Sequence, residues 1–161
     1  MKKQNVQNKV TLFYNDYDTY FSVDDELALI SYINEGEEAK ICGGIGMQSH
    51  VDIKRPTLEE YGNALKAFIN AGLEVQITEL DITINFDTDD TDGRTPTYAY
   101  KNEKETDADQ AAFTKDFIKQ IVDIQKNRDK TISPKGITGI TVWGISDQTS
   151  GRGSCKPLFF T

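Results

Sequence analysis

Residues 57–81, TLEEYGNALKAFINAGLEVQITELD, encode one helix followed by one strand. Thr57 and Glu60 have the spacing of a capping box, and Gly72 is a typical helix stop. Between them an apolar stripe recurs at helical spacing, formed by Tyr61, Leu65, Phe68 and Ile69. Residues 73–78 then form a short run with β-branched side chains, which predicts a buried strand.

Two further amphipathic helices flank this unit. The first follows Asp24, a predicted N-cap, and ends at Gly36. Its apolar face consists of Leu27, Ile30 and Ile33. The second begins within residues 106–109, and its apolar positions are Phe113, Phe117, Ile121 and Ile124.

More short strands are predicted at residues 9–14, 44–47 and 140–143, so the order is β-α-β-α-β-α-β. Strands that alternate with helices pair in parallel, which indicates the α/β class. A (β/α)8 barrel uses roughly 30 residues per unit. The sequence therefore predicts part of a (β/α)8 TIM barrel, with residues 1–161 as a single partial domain. The alternative is an open doubly wound sheet, but no glycine-rich phosphate loop follows the first strand.

The composition excludes several classes of partner. The chain has 161 residues and a formal net charge of -8, so nucleic acid and anionic membranes would be repelled. No apolar run approaches the roughly 20 residues that a membrane-spanning helix needs. No apolar region follows the basic start at residues 1–5, so we expect no signal peptide in this chain. A neutral ligand is compatible with this charge.

Neither the cysteines nor the acidic residues predict a metal site. Cys42 and Cys155 lack the spacing of metal ligands, and the predicted strands put them near opposite ends of the barrel, which disfavours a disulfide. The acidic run at residues 87–93 resembles a calcium loop, but its first ligand position falls on Thr88 and its glutamate position on an alanine. We expect a solvated acidic loop over residues 82–106, and no cofactor.

Polar or aromatic residues stand at the end of every predicted strand. They are, in strand order, Asn15 and Tyr17, Gln48 and His50, Glu79 and Asp81, and finally Trp143. Parallel barrels place their active sites at the carboxyl ends of the strands. Taken singly, each of these residues is more often a helix-cap, turn, structural or core residue than part of a site. Their coincidence at one rim favours a functional site.

The spacing along two of these strands predicts a catalytic group. Side chains two apart on a strand share a face, so Glu79 and Asp81 should point the same way, as should Gln48 and His50. The two strands should be neighbours, which puts the single imidazole beside two carboxylates and fixes its ring. An ionised and oriented carboxylate is what nucleophilic attack on an anomeric carbon requires.

Three segments resemble consecutive signatures of glycoside hydrolase family 10. They are GIGMQSH at residues 44–50, ITELDI at 77–82 and TVWGISD at 141–147. LFYNDY at residues 12–17 and KPLFF at 156–160 resemble the stretches before and after them. The resemblance covers nearly the whole chain in the family's order.

The resemblance implies a retaining endo-1,4-β-xylanase, with this chain supplying strands five to eight of the barrel and a secreted parent protein. By position Glu79 matches the nucleophile, and His50 and Asp81 match the pair that holds it. The implied substrate-binding residues are Asn15, Tyr17, Gln48, Trp143 and Arg152, with Trp143 as the platform on which a sugar ring stacks.

The chain departs from the family pattern in two ways. The family usually has Ser-Trp-Arg after the last strand, whereas Ser150, Gly151 and Arg152 lack the tryptophan. The acid/base glutamate belongs to an Asn-Glu pair on strand four, and nothing before Lys9 supplies it. The final barrel helix is also missing from the pattern.

These departures leave three hypotheses open. The first is a xylanase fragment that acts on xylan together with the amino-terminal half of the barrel. The second is a catalytically inactive half-barrel that self-associates, for example as a homodimer, or binds xylan weakly. The third is an unrelated small α/β domain. Four parallel strands leave two unpaired edges and an open apolar face, so we predict association with a second copy or another chain.

Overall fold

The computed structural model describes residues 10–85 and 105–159, which form five strands and three helices. In chain order these are β1 (Leu12–Asp16), α1 (Val23–Ile33), β2 (Cys42–Met47), β3 (His50–Asp52), α2 (Leu58–Asn70), β4 (Glu74–Thr83), α3 (Asp107–Asn127) and β5 (Ile137–Val142). Two single 3₁₀ turns follow β5, at Asp147–Thr149 and Gly153–Cys155.

The strand ladders in the described part of the chain are all parallel. The sheet order is β1-β2-β4, with β5 on the other side of β4 and β3 beside the carboxyl-terminal part of β4. Ile45 of β2 lies opposite Val75 of β4, which confirms that the strands predicted at residues 44–47 and 73–78 are neighbours. Strands that alternate with helices in a parallel sheet confirm the α/β class.

The helices cover one face of this sheet and form the core with it. Tyr61, Leu65 and Phe68 of α2 are fully buried against Val75 and Ile77 of β4, and α3 adds its own aromatic and aliphatic positions to the same cluster. The predicted capping box of α2 is confirmed, since Glu60 N donates to Thr57 Oγ1 at 3.1 Å. The same motif begins α3, where Thr106 caps the helix.

Several element boundaries differ from the sequence prediction. The strand predicted at residues 9–14 runs from Leu12 to Asp16, and the one predicted at residues 140–143 begins at Ile137. Asp24 is not the N-cap of α1, because the helix begins at Val23 and Ser22, two residues before Asp24, holds the N-cap position.

The short strand β3 was absent from the sequence prediction. The backbone of Ser49 has a φ of 67°, which ends β2 at Met47 before the chain pairs again from His50 onward. The alternation that predicted a common face for Gln48 and His50 is therefore interrupted between them.

The outer strands expose apolar side chains. Ile140 and Val142 of β5 are 41% and 38% exposed, and Thr141 between them is exposed on the other face. Leu12 of β1 is 55% exposed. The outer strands are therefore covered less completely than β2 and β4, although Tyr14 and Ile137 still pack against the core.

The remaining sequence predictions concern the cysteines, the acidic loop and membranes. Cys42 and Cys155 are buried free thiols, as expected, and burial raises the pKa of the Cys155 thiol. The calcium-like run at residues 87–93 lies outside the described residues. Within residues 10–85 and 105–159, no helix is both long and apolar enough to cross a bilayer.

Candidate active site

A β-bulge in β4 decides where its carboxylates point. Ile77 is buried in the core, and the next core residue is Leu80, three positions later. The register between β4 and β5 shifts between these two residues. An extra residue in a strand reverses the alternation beyond it. Glu79 and Asp81 therefore lie on the face opposite to Leu80, the same face as Thr78.

The single histidine lies between the two acids. His50 Nε2 is 3.3 Å from Glu79 Oε2, and His50 Nδ1 is 3.1 Å from Asp81 Oδ1. The pairing of β3 with β4 explains this arrangement, because it puts His50 directly opposite Asp81. The predicted convergence of one imidazole and two carboxylates is confirmed.

Asp81 is the buried member of this group and has a cationic partner of its own. Its side chain is 1% exposed, and the Arg152 guanidinium forms an ion pair with Oδ1, the oxygen that faces His50. His50 Nδ1 has no well-aligned hydrogen bond within the described part of the chain. Arg152 therefore offsets the charge of Asp81, and the imidazole is left to orient Glu79.

Glu79 is the accessible acid of the pair, with a side chain 17% exposed. On the side away from His50, the Asn15 amide donates to Glu79 Oε1 at 3.5 Å. Thr78 Oγ1 donates to Asn15 Oδ1 at 2.6 Å, which fixes the direction of the side-chain amide. Glu79 is thus held between an amide of β1 and an imidazole of β3.

The structure brings the other predicted residues to the same rim at different distances. Trp143 is half-exposed, and its ring lies edge-on to the His50 imidazole with centroids 6.3 Å apart. The Gln48 backbone joins neighbouring strands, because its carbonyl accepts from Glu79 N at 3.0 Å. Tyr17 follows β1 with a 65% exposed side chain, so its ring is open to solvent.

Three residues of this site were missed from the sequence. Thr78 is the position where the alternation reverses, and the irregular spacing of buried apolar residues in β4 was the available signal. Gly46 makes room for Asn15, because a Cβ at Gly46 would collide with the Asn15 side chain. Glycine inside a buried strand indicates such a close approach.

Tyr20 is the third and had no sequence signal. Its phenol donates to Asp18 Oδ1 at 2.8 Å and lies 3.2 Å from the carbonyl oxygen of His50. Burial raises the pKa of Tyr20 well above its ordinary value, so the phenol keeps its proton and remains a donor. It ties the loop after β1 to the start of β3.

The site can present one carboxylate to an electrophile and hold it in place. Glu79 is accessible, and Asn15 and His50 restrict its carboxylate from two sides. Asp81 is buried and ion-paired, so its chemistry is restricted to orienting its neighbours. The half-exposed indole of Trp143 offers an apolar face beside them.

Comparison with known proteins agrees with this geometry. The profile of glycosyl hydrolase family 10 matches residues 2–161. The chain belongs to glycosyl hydrolase family 10. The described part of the chain is accordingly part of the family's (β/α)8 barrel, as the resemblance implied.

Two of the related proteins are named as xylanases. The chain is 38% identical over 161 residues to endo-1,4-beta-xylanase A of Butyrivibrio fibrisolvens, covering all of this chain and 32% of that protein. It is 32% identical over 148 residues to endo-1,4-beta-xylanase A of Xylanibacter ruminicola, covering 86% of this chain and 38% of that protein. The chain therefore spans about a third of the length of these relatives.

A solved structure supports the same relationship. The N-terminal endo-1,4-beta-D-xylanase 10B of Clostridium thermocellum, determined with xylohexaose, superposes with a TM-score of 0.70 at 29% identity. The match covers 93% of this chain and 26% of that one. A Thermobacillus composti family 10 xylanase matches 95% of this chain and 48% of its own length with a TM-score of 0.68, and at 24% identity shows the fold alone.

Proposed function

We propose that this chain contributes the nucleophile of a retaining endo-1,4-β-xylanase, which cleaves internal bonds of xylan once the amino-terminal half of the barrel completes the site. The observation that carries this proposal is the placement of His50 between Glu79 and Asp81, at 3.3 and 3.1 Å. Glu79 attacks the anomeric carbon, and His50 and Asp81 hold its carboxylate in line.

A second carboxyl is needed for the complete reaction. A retaining glycosidase uses two carboxyl groups about 5–5.5 Å apart, one as nucleophile and the other as proton donor to the leaving oxygen. Asp81 cannot be that donor, because its side chain is buried and forms an ion pair with Arg152. It also lies on the same strand as Glu79. We assign the acid/base to the amino-terminal half of the barrel. Without general acid help the rate falls by about 10²–10⁴-fold.

The proposed substrate follows from the relatives and from the surface around Glu79. The relatives are named as xylanases, and the related structure from Clostridium thermocellum was determined with xylohexaose. Trp143 offers an exposed indole face for a sugar ring, and the predicted hydroxyl-binding groups are Asn15, Tyr17, Gln48 and Arg152. We also propose that the complete protein is secreted, since its substrate is a polymer.

Covalent trapping tests the nucleophile without relying on the acid. The reagent is a xylobioside with fluorine at the 2-hydroxyl position and dinitrophenolate as leaving group, which departs without protonation. Glu79 Oε forms a bond to the anomeric carbon while the bond to dinitrophenolate breaks. We define the assembled barrel as this chain mixed with the amino-terminal half of a family 10 xylanase.

Peptide mass spectrometry of the assembled barrel should locate the glycosyl adduct on Glu79. Glu79→Gln should give no adduct, whereas Glu59→Gln, an exposed change on α2, should label like the parent chain. An assembled barrel that forms no adduct, or one labelled at another carboxylate, contradicts the proposal.

The exposed outer strands favour a second candidate, self-association without catalysis. Leu12 of β1 and Ile140 and Val142 of β5 are exposed on strands that each have one open edge in the described part of the chain. Two copies that joined β1 to β5 would cover these side chains. Sedimentation of the isolated chain discriminates the candidates. A dimer that excludes the amino-terminal half favours this second function, and a dimer that the half displaces favours the xylanase.

A further inference from the structure

His50 depends on a very short strand for its position. β3 consists of His50, Val51 and Asp52 and pairs with β4 through Asp81, Ile82 and Thr83. A slip of one residue in a strand turns every side chain to the other face. Such a slip of β3 would remove the imidazole from Glu79, so something must fix the register of three residues.

A buried polar pair lies at the far end of this strand. Thr83 Oγ1 donates to Asp52 Oδ2 at 2.9 Å and lies 3.2 Å from the Val51 carbonyl oxygen. Asp52 is 6% exposed and Thr83 is fully buried. Both residues belong to the pair of strands that holds His50 against Asp81.

The other carboxylate oxygen of Asp52 fixes the turn that leaves β3. Lys54 N donates to Asp52 Oδ1 at 3.0 Å. Asp52 and Arg55 also exchange two backbone hydrogen bonds, at 2.8 and 3.0 Å, and Ile53 N donates to the Thr83 carbonyl at 3.1 Å. Asp52 therefore joins the turn, β3 and β4 at one point.

A second contact braces the same turn against the start of α3. Lys54 Nζ forms an ion pair with the Glu105 carboxylate. Glu105 in turn exchanges hydrogen bonds with Asn85, whose amide oxygen accepts from Glu105 N at 2.9 Å. The end of β3 is thus tied to β4 and also, through Glu105, to Asn85 just beyond the end of β4.

Stability alone does not explain a carboxylate at this place. Burial raises the pKa of Asp52, although the hydrogen bonds from Lys54 and Thr83 oppose that shift, so burying the charged carboxylate costs free energy. An apolar pair of the same volume would hold two strands together at least as well. By contrast, the directional bonds of Asp52 to Thr83 and Lys54 can form in only one register. Fixing a register is the best-attested role of buried polar groups.

We propose that Asp52 and Thr83 are positioning residues for the nucleophile: they set the register of β3 on β4 and thereby hold the His50 imidazole at Glu79. The consequence for catalysis rests on the proposed function, whereas the consequence for the position of His50 does not. The two can therefore be tested separately.

The position of His50 can be read in the chain itself, which contains one histidine and one tryptophan. The two rings lie edge-on at 6.3 Å between centroids, so a nuclear Overhauser contact between them reports the position of β3. Thr83→Val removes the hydroxyl and keeps the shape, and it should abolish most of this contact. Thr83→Ser restores the hydroxyl and should retain it.

Two further variants keep this test decisive. Thr114→Val is the matched control, because its hydroxyl donates to the Gln110 carbonyl of its own helix, and it should leave the ring contact unchanged. Asp52→Ala removes both acceptors, so it should weaken the contact even if Thr83→Val fails to fold. An undiminished contact in folded Thr83→Val or in folded Asp52→Ala overturns the proposal.

The catalytic consequence is measured as the rate of trapping in the assembled barrel. A displacement of about 1 Å costs up to roughly 10²-fold in rate, so Thr83→Val should trap about 10- to 100-fold more slowly with unchanged affinity for the reagent. Thr83→Ser should recover most of the rate. If the parent chain does not trap, the proposed function fails and the ring contact still decides the register. A parent chain that traps no faster than Thr83→Val overturns the positioning role.

Discussion

Ile77 and Leu80 lie in the same buried cluster although three positions separate them in one strand. A regular strand would turn one of them toward the opposite face. The bulge between them is what allows β4 to bury Ile77 against the helices and still turn Glu79 and Asp81 toward His50. Bulges are frequent beside active sites because they re-aim a side chain in this way.

Deletion of Thr78 tests this relationship. Without Thr78, the sequence Val75, Gln76, Ile77, Glu79, Leu80 alternates regularly, so the core remains intact and the chain should fold. Glu79 would then sit about 3.3 Å back along the strand relative to His50, one residue's rise. We expect cooperative thermal unfolding together with loss of trapping in the assembled barrel.

A matched deletion gives the control for that variant. Gly139 of β5 lies opposite Gln76 of β4. Removing Gly139 shortens β5 and leaves the sequence of β4 unchanged. This deletion should weaken the contact between His50 and Trp143. It should keep the distance between His50 and Glu79 unchanged. If the Thr78 deletion traps at the parent rate, the bulge does not position Glu79 for trapping.

The sequence predicted most of the helical layer and the convergence of the site. The capping box at Thr57 and the apolar stripe of α2 are local signals, and local signals act without tertiary help. Parallel pairing then brought His50 to Glu79, as expected.

The bulge and the short strand β3 could not be predicted in the same way. Strict alternation puts Glu79 on the face of Val75 and Ile77, which is the core face, and the shifted pairing with β5 is what locates the reversal of the alternation. The break at Ser49 depends on a left-handed backbone that serine rarely adopts, so no residue preference announces it. The ion pair of Arg152 with Asp81 joins residues far apart in sequence and likewise had no local signal.

Gly46 should be intolerant of any side chain. It lies opposite Asn15 in the parallel pair of β1 and β2, and an added Cβ would collide with the Asn15 side chain. In Gly46→Ala, Asn15 should lose its hydrogen bonds to Thr78 and Glu79. We expect a loss of roughly 1–3 kcal/mol in the free energy of unfolding from overpacking, together with slower trapping.

Gly139→Ala is the corresponding control in denaturant titration. A Cβ at Gly139 meets only ordinary van der Waals contacts, the nearest being 3.9 Å away on Gln76. It should unfold at nearly the same denaturant concentration as the parent chain. Equal stability of Gly46→Ala and Gly139→Ala contradicts the close approach described for Asn15.

The opposite end of the strands contains a network that should make stability depend on acid pH. Burial alone would raise the pKa of Glu74, but hydrogen bonds from Lys135, Thr138 and Thr11 outweigh it and lower that pKa. The Lys135 and Thr138 bonds measure 2.6 and 2.9 Å. Because the folded-state pKa lies below the unfolded one, the contribution is present above the unfolded pKa and is lost as pH falls through the folded pKa.

Denaturant titrations at two pH values measure this contribution. Glu74→Gln should lower the free energy of unfolding at pH 7 by about 1.5–3 kcal/mol, the typical value of hydrogen bonds to a charged group. Below the folded-state pKa of Glu74 the difference from the parent chain should shrink. Glu59→Gln, at an exposed position, should show little change at either pH. A difference that stays constant with pH excludes Glu74 as its source.

Gly151 offers room for the tryptophan that the family usually has at this position. An added Cβ there would have no heavy atom within 4 Å in the described part of the chain, and its backbone does not have the positive φ that requires glycine. Gly151→Trp should therefore keep the stability of the fold within about 0.5 kcal/mol, as for most surface changes. Residue 151 directly precedes Arg152, whose guanidinium forms an ion pair with the buried Asp81. An aromatic platform contributes about 0.5–1.5 kcal/mol, so xylobiose should bind the assembled barrel about two- to tenfold more tightly.

Titration calorimetry measures this affinity, with Gly151→Ala as the control that fills the position without a ring. Equal affinities for the tryptophan and alanine variants would show that residue 151 does not face the sugar.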